Sequence, residues 1–117
     1  MSERLNQATR RRYERRAGVF KALGHPTRLF LVEQLARGER CVCELAALID
    51  ADLSTVSKHL SVLKSAGVVE DEKRGANVFY RLRLGVDSLL AFAAEATRLE
   101  GNGEESPARA PGTQGRG

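Results

Sequence analysis

The spacing of apolar residues changes at Gly67, and this change limits the folds open to the chain. Before Gly67, four segments carry apolar side chains three or four positions apart, as helices with one buried face require. After it, residues 68–69 and 78–84 flank a polar stretch around Gly75, a pattern typical of a β-hairpin. Helical spacing returns over residues 86–99. The order predicts a mainly α fold with a small β-hairpin, ααααββα.

Local start and stop residues set the predicted helix bounds. The first helix is predicted over residues 3–22, with Gly24 as its stop, and the third over residues 41–50. Pro26 suits the start of the second helix, since its missing N–H would be unpaired there, and Arg37-Gly38 ends that helix. Asp52 is the expected N-cap of the fourth helix, which ends at Gly67.

Composition favours a helical core and a single domain. Of 117 residues, 42% are apolar, only 5% are aromatic and none is Trp, which argues against a β-sandwich. Residues 1–100 are predicted to form one domain. Residues 101–117 are rich in Gly, Pro, Ala, Ser and Glu, without a large apolar residue, and are expected to be a disordered tail.

Neither a signal peptide nor a membrane span is expected. The N-terminus is charged, and no apolar run approaches the ~20 residues of a spanning helix. We therefore expect a cytoplasmic protein with reduced thiols and no membrane partner.

Positive charge is concentrated at the N-terminus. The whole chain carries a net charge of +4 and has a pI near 9.5. Residues 1–21 hold seven Lys or Arg residues against two acidic ones, so the remainder is close to neutral. The cluster is either a solvated helix face or a surface that contacts phosphates flanking a DNA site.

The third and fourth helices have the spacing of a helix-turn-helix, and the hairpin that follows has the position of a wing. Leu53, Val56, Leu60 and Leu63 form the predicted buried face of the fourth helix. Its polar face carries hydroxyl and cationic side chains suited to bases and phosphates. An ordinary amphipathic surface helix is the alternative, but so many hydroxyls are unusual on one. The candidate DNA contacts on this helix are Ser54, Thr55, Ser57, Lys58, Ser61 and Lys64.

Four further residues are candidate DNA contacts. His59 lies at the border of the apolar face, where it is either a packed structural residue or a contact to DNA. Lys73, Arg74 and Asn77 lie near the tip of the predicted wing, where they contact phosphate or minor groove or are solvated turn residues.

Cys41 and Cys43 are the only cysteines of the chain. Residues at i and i+2 do not face each other within a regular helix, so a shared ligand requires the start of the third helix. Unpaired N–H groups there, together with Arg40, are expected to lower the thiol pKa. Thiolates bind thiophilic ions, although two are fewer than such ions prefer. Alternatively, the two cysteines act only as small apolar residues, or they form a pair that is oxidised or persulfidated.

A thiol enzyme is not expected. The chain has no Cys-x-x-Cys motif, no βαβ pattern and no phosphate-binding glycine loop in a strand–helix context.

Several motifs in the right order resemble the ArsR/SmtB family of winged-helix metal-sensing repressors. The stretches that carry the resemblance are residues 20–28, 41–45, 55–60, 66–69 and 79–82. The resemblance implies a homodimer formed through residues 3–22 and 86–99 that binds an inverted-repeat DNA operator and is released by an inducer. In the arsenic-sensing branch, Cys-Val-Cys at this position supplies two inducer ligands.

The chain departs from the family pattern at several metal-ligand positions. Ala46 stands where a third Cys is often found, the N-terminal arm has no Cys, and the last helix offers Asp87 and Glu95 but no His. His25 replaces a common Asp. The resemblance thus implies a repressor without a permanent cofactor, released by As(III), Sb(III) or another thiophilic ion at Cys41 and Cys43. The third ligand is then water, a small thiol or His25, or the ion has no third ligand.

Overall fold

A computed structural model describes residues 4–83 and 86–100 of the chain. The predicted order of helices and hairpin is confirmed, with one short strand added between the second and third helices. The elements are α1 (Gln7–Leu23), α2 (Pro26–Leu35), β1 (Arg40–Cys41), α3 (Val42–Ile49), α4 (Leu53–Ser65), β2 (Val69–Arg74), β3 (Asn77–Leu82) and α5 (Val86–Glu100). The first seven elements form one compact unit and α5 belongs to a second.

The first helix begins later, and the second helix ends earlier, than predicted. The Asn6 side chain accepts a hydrogen bond of 2.9 Å from the Thr9 N–H, so α1 begins at Gln7 rather than residue 3. Gly24 follows α1 as its C-cap, as predicted. His25 is the N-cap of α2, its Nδ1 accepting from the Thr27 N–H at 3.1 Å. The second helix ends at Leu35, before the predicted Arg37-Gly38 stop.

The turn between α3 and α4 is short and capped on both sides. Asp50 ends α3 in the left-handed conformation with φ 53°, and the Ala51 N–H donates back to the Ala46 carbonyl at 3.3 Å. Asp52 begins α4, its Oδ1 accepting from the Thr55 N–H at 2.8 Å. These caps fix the direction in which α4 leaves α3.

The sheet has three antiparallel strands in the order β1-β3-β2. The predicted hairpin is confirmed, with Arg74 opposite Asn77 across a two-residue turn in which Gly75 has φ 62°. The added strand β1 places Cys41 opposite Phe79. The wing is therefore joined to the chain segment that leads directly into α3.

The core lies between the helices and the base of the wing. Val56, Leu60 and Leu63 of α4 are fully buried, as predicted, with the other large buried side chains being Leu31, Val32, Leu45, Val68 and Val69. Leu53 was also predicted to be buried, and this is wrong because its exposed fraction is 55%. Leu53 is the first residue of α4, where the helix extends past the elements that cover its apolar face.

The last helix, α5, confirms the predicted helix over residues 86–99 and extends to Glu100. Phe92 on this helix is 71% exposed. The predicted tail, residues 101–117, lies outside the described residues. Among the helices that the structure describes, none is both long enough and apolar enough to cross a membrane.

Candidate nucleic-acid interface and thiol pair

The fourth helix presents one buried face and one exposed polar face. All six candidate contacts predicted on its polar face are exposed: Ser54, Thr55, Ser57, Lys58, Ser61 and Lys64. Hydrogen bonds from Thr55 hold the pKa of Asp52 below its ordinary value, so the N-cap stays ionised. A capped helix with a fixed apolar face can present its hydroxyls and Lys58 to a groove of DNA without changing shape.

Lys64 differs from Lys58 in having an acidic partner. Its ammonium lies 3.0 Å from Asp71 Oδ1 on β2, and this hydrogen bond raises the pKa of Lys64. In the described part of the chain, no carboxylate forms an ion pair with Lys58. Lys64 thus ties α4 to the wing, while the charge of Lys58 stays available. A DNA contact by Lys64 stays a prediction.

His59 packs against other residues of the domain. Its ring is half-buried, with its centroid 4.7 Å from that of His25 and a tilt of 51° between the rings. Arg28 Nη1 lies 3.5 Å from His59 Nδ1. Burial lowers the pKa of His59, and the charges of His25 and Arg28 lower it further. These contacts favour the structural interpretation of His59, and a DNA contact stays a prediction.

Arg74 is engaged in an ion-pair network on the sheet. Its Nη1 and Nη2 donate to the two carboxylate oxygens of Glu39, each at 2.8 Å, and Nη2 also donates to Glu72 at 2.8 Å. Its guanidinium lies 4.7 Å from the centre of the Phe79 ring. Arg81 joins the network through Glu39 and Glu72, each at 3.4 Å.

This network changes what the wing can offer to DNA. The hydrogen bonds from Arg74 hold the pKa of Glu39 below its ordinary value, and they raise the pKa of Arg74. The positive charge of Arg74 is therefore compensated within the protein. Lys73 and Asn77 are exposed beside the turn and have no ion pair in the described residues. Contacts of these three wing residues with DNA stay predictions.

The two cysteines meet at the start of α3, in the place predicted for a shared ligand. Cys41 is 6% exposed and occupies the N-cap with an extended backbone, while Cys43 is exposed. The Cys41 N–H donates to Glu44 Oε1 at 2.9 Å, which holds the first turn in place. Because Cys41 lies outside the helix proper, its thiol can reach that of the second residue along.

The expected lowering of thiol pKa is wrong for Cys43. A hydrogen bond with the Cys41 thiol raises the pKa of Cys43, and desolvation and the negative charge of the Cys41 thiolate raise it further. The Glu44 backbone opposes this shift, as the helix-start argument requires, but its effect is smaller. Cys43 therefore loses its proton less readily than an ordinary cysteine.

The described residues do not supply a third protein ligand to the thiol pair. No group of three or more His, Cys, Asp or Glu side chains there could hold a metal ion. Ala46, at the position of the additional Cys, is buried and apolar. His25 is occupied in capping α2 and in contact with His59. On α5, Glu95 binds Arg98, and the Asp87 side chain lies outside the described residues.

Sequence reasoning missed Glu39 and Phe79, the two residues that connect Cys41 with the wing. Phe79 faces Cys41 across the sheet, and Glu39 lies two residues before Cys41 and binds Arg74. A two-residue strand has no measurable period, and the ion pair joins residues 35 positions apart. Neither leaves a local signal in the sequence.

Known regulatory proteins resemble this chain in sequence. The family model described as bacterial regulatory protein, arsR family, matches residues 25–71. An uncharacterised HTH-type transcriptional regulator of Methanocaldococcus jannaschii is 43% identical over 70 residues, 59% of this chain and 79% of that protein. The arsenic resistance transcriptional regulator ArsR1 of Pseudomonas putida is 36% identical over 85 residues, 68% of this chain and 66% of that protein. The chain spans 47% to 57% of the cadmium-resistance and SmtB-type regulators that it matches.

The fold has a solved counterpart. The homodimeric winged helix-turn-helix DNA-binding domain of a possible ArsR-family regulator from Mycobacterium bovis superposes with a TM-score of 0.76 and 31% identity, covering 87% of this chain and 95% of that one. The predictions of a winged helix-turn-helix and of a DNA-binding regulator rather than an enzyme are confirmed. The chain belongs to the ArsR family of winged-helix transcriptional regulators.

Proposed function

We propose that the protein is a homodimeric repressor that a thiophilic metalloid ion, As(III) or Sb(III), releases from DNA by binding Cys41 and Cys43. The position of Cys41 carries this proposal. It is at once the N-cap of α3 and the residue opposite Phe79 in the wing sheet. A ligand on the Cys41 sulfur therefore acts on both DNA-contacting parts of the domain.

The proposed DNA surface combines α4 with the tip of the wing. Serine and threonine hydroxyls and the ammonium of Lys58 contact base edges and phosphates in the major groove. Lys73 and Asn77 contact the backbone or minor groove beside it. The exposure of all these side chains supports the proposal. Lys64 and Arg74 are left out of the surface because Asp71 and Glu39 bind them within the protein. Residues proposed to contact DNA from α4 are Ser54, Thr55, Ser57, Lys58 and Ser61.

Dimerisation through residues 3–22 and 86–99 is part of the proposal. Large apolar side chains are exposed on both helices concerned, with Tyr13 at 49%, Phe20 at 60% and Phe92 at 71%. The Mycobacterium bovis domain is described as a homodimer. A dimer with two recognition helices fits an inverted-repeat operator whose half-sites lie about 34–36 Å apart.

The mechanism follows from the contacts of Cys41. Binding of one ion by both sulfurs joins the two side chains through two directed bonds and changes the geometry of the first turn of α3. The third helix packs against α4, and β1 pairs with β3, so the change reaches the recognition helix and the wing. A tenfold loss of DNA affinity needs about 1.4 kcal/mol of coupling between the two sites.

The chemistry of the site favours a metalloid inducer. Two thiolates with no third ligand among the described residues leave one position of a three-coordinate As(III) or Sb(III) centre for water or a small cytoplasmic thiol. Relatives of the chain include regulators named for arsenic and for cadmium resistance. Zinc prefers four ligands and would be held less completely. No permanent cofactor is proposed.

Titration of the reduced protein with arsenite, antimonite, Cd(II) and Zn(II) tests the site. Thiolate charge-transfer absorbance reports binding, and a competing dithiol sets the affinity scale. We expect one As(III) per chain in the wild type and none in Cys41→Ser or Cys43→Ser, with Ala47→Ser, at an exposed position of the same helix, as a matched control that binds like the wild type. If both cysteine variants bind arsenite as the wild type does, the assignment of Cys41 and Cys43 as the metal site is wrong.

Oxidation or persulfidation of the same pair is the second candidate, because both thiols are free at the start of α3 and Cys43 is exposed. In this version an oxidant or a polysulfide takes the place of the ion as the signal that releases DNA. The proposed DNA-contacting surface is the same. Mass spectrometry after peroxide or polysulfide treatment distinguishes the two. A loss of about 2 Da per chain, or the gain of sulfur, that tracks DNA release would favour the redox switch.

A further inference from the structure

An open groove of about 600 Å³ lies between α1, α2 and the C-terminal half of α4. It is lined by four small or apolar residues, Gly18, Ala22, Val62 and Ala66, and by two cations and two hydroxyls, here called its rim, Lys21, Arg28, Ser61 and Ser65. In the described residues, no Asp or Glu lines this groove. A surface with four hydrogen-bond donors and no carboxylate is suited to an anion.

Arg28 places a fixed positive charge on the rim. Its Nε donates to the Ala22 carbonyl at 2.6 Å and its Nη1 lies 3.5 Å from His59, so the guanidinium is held in place. It is only half-exposed. Among the residues that the structure describes, no carboxylate forms an ion pair with it or with Lys21. Two neighbouring cations without a counter-ion are stabilised by an anion between them.

We propose that this groove binds a phosphate of the DNA backbone beside the segment read by α4. Ser61 carries the argument, because it belongs to the exposed polar face of the recognition helix and also lines the groove. The groove therefore continues that face toward α1. The inference rests on DNA binding by α4, but it does not depend on which inducer acts at the thiol pair.

The charge of α1 favours a DNA strand over an isolated small anion. The same helix that contributes Lys21 exposes Arg10, Arg11 and Arg15, which continue the positive charge along α1. A backbone carries one phosphate after another, so it can use such a row of cations, whereas a single small anion cannot. The N-terminal charge thus extends the DNA footprint beyond α4 and the wing.

Substitution of Gly18 tests the groove with a matched pair. A Cβ at this position meets nothing within 4 Å, so a longer side chain enters the open groove without a clash. Gly18→Glu places a carboxylate there and Gly18→Gln an uncharged amide of the same shape. Both are better helix formers than Gly, so the melting temperature of each variant should be at least as high as that of the wild type. Lys21→Gln removes a rim charge directly.

The readout is fluorescence anisotropy with a duplex of about four helical turns, selected by the protein from a random-sequence pool. We expect Gly18→Glu and Lys21→Gln to lower affinity by roughly three- to tenfold, on selected and unrelated duplexes alike. The slope of log K against log salt should become shallower by about 0.9 in Lys21→Gln, for one lost phosphate contact. Gly18→Gln should lose less affinity than Gly18→Glu, so the difference between the two variants measures the effect of the added negative charge.

Single methylphosphonate substitutions, which remove the charge of one phosphate, locate the contact. One flanking substitution should weaken the wild type and have no further effect in Lys21→Gln. If Gly18→Glu and Lys21→Gln keep the wild-type affinity and salt slope, the groove proposal is overturned while DNA reading by α4 stands. If the wild type selects no duplex, the proposed function itself fails.

Inorganic phosphate at constant ionic strength separates the two sources of the anion. Amide shifts at Lys21, Ser61 and Ser65 on addition of inorganic phosphate, with no effect of any methylphosphonate substitution, would show a free-anion site and overturn the DNA-backbone assignment. Competition between inorganic phosphate and the duplex, lost in Lys21→Gln, would support it.

Discussion

Cys41 lies directly opposite Phe79 in the ladder between β1 and β3, so the residue that begins α3 is also part of the wing sheet. The guanidinium of Arg74 in turn lies over the Phe79 ring and donates through Nη1 and Nη2 to Glu39. Glu39 precedes Cys41 by two residues. A displacement of the Cys41 backbone therefore reaches the wing both through the strand and through this ion pair.

Glu39→Gln should weaken the communication between the thiol pair and the wing. The substitution removes the negative charge that holds Arg74 and leaves Glu72 as the main partner of Arg74. We expect the ratio of DNA affinities without and with arsenite to fall by roughly threefold or more, within the range common for coupled sites. Affinity without arsenite should be unchanged or slightly higher, since Arg74 becomes available to phosphate.

Anisotropy titrations with and without arsenite measure this ratio, with Glu70→Gln as the matched control. Glu70 is bound to Arg81 and makes no contact with Arg74 in the described network. A wild-type ratio in Glu39→Gln would show that the ion pair has no part in release.

Lys58 and Lys64 should differ in their importance for DNA binding. Lys58→Gln removes a charge that has no ion pair among the described residues from the exposed face of α4, and it should weaken binding by roughly tenfold or more. Lys64→Gln removes a charge already paired with Asp71 and should change affinity by roughly twofold or less. Binding isotherms at several salt concentrations check both. Equal losses in the two variants would mean that Lys64 leaves Asp71 to contact DNA.

The two ends of the apolar stripe on α4 should differ in stability effects. Leu60 is fully buried, so Leu60→Ala should lower the free energy of unfolding by about 2–5 kcal/mol. Leu53 is 55% exposed, so Leu53→Ala should change it by about 0.5 kcal/mol or less. Urea unfolding followed by circular dichroism measures both values. A large loss in Leu53→Ala would indicate that another surface covers this residue in solution.

Stability should fall with acidification because of His59. Its pKa in the folded state is lowered by burial and by the neighbouring charges of His25 and Arg28. The unfolded chain therefore binds a proton first, and stability is lost as pH falls below about 6.5, the ordinary histidine value. The free energy of unfolding should be lower at about pH 5.5 than at about pH 7.5, and this difference should shrink in His59→Gln. If the difference in the free energy of unfolding between the two pH values is larger in His59→Gln than in the wild type, His59 is not the cause of the loss of stability.

The helices and the hairpin could be predicted from local pattern, since each has a period and a start or stop residue of its own. Asp52, Gly24 and the glycine of the wing turn act on their immediate neighbours, and the structure confirms them. Leu53 was misplaced because period alone does not say where the covering elements end. Strand β1 was missed because its two residues are defined only by their partners on β3.

The site was predictable in position and less so in chemistry. The meeting of Cys41 and Cys43 followed from their spacing, but the direction of the Cys43 pKa did not, because the hydrogen bond between the thiols outweighs the effect of the helix start. The compensation of Lys64 by Asp71 and of Arg74 by Glu39 depends on tertiary contacts. No residue pattern near either cation indicates its partner.

The central claim is that ligand binding at the thiol pair reduces DNA affinity. Its most direct measurement is anisotropy of a selected duplex with reduced protein, titrated with arsenite, for the wild type and for Cys41→Ser/Cys43→Ser. We predict that the wild type loses affinity by at least about tenfold, equivalent to ~1.4 kcal/mol of coupling, and that the double variant binds DNA equally with and without arsenite. Arsenite-dependent release of the double variant to the same extent as the wild type would contradict the account.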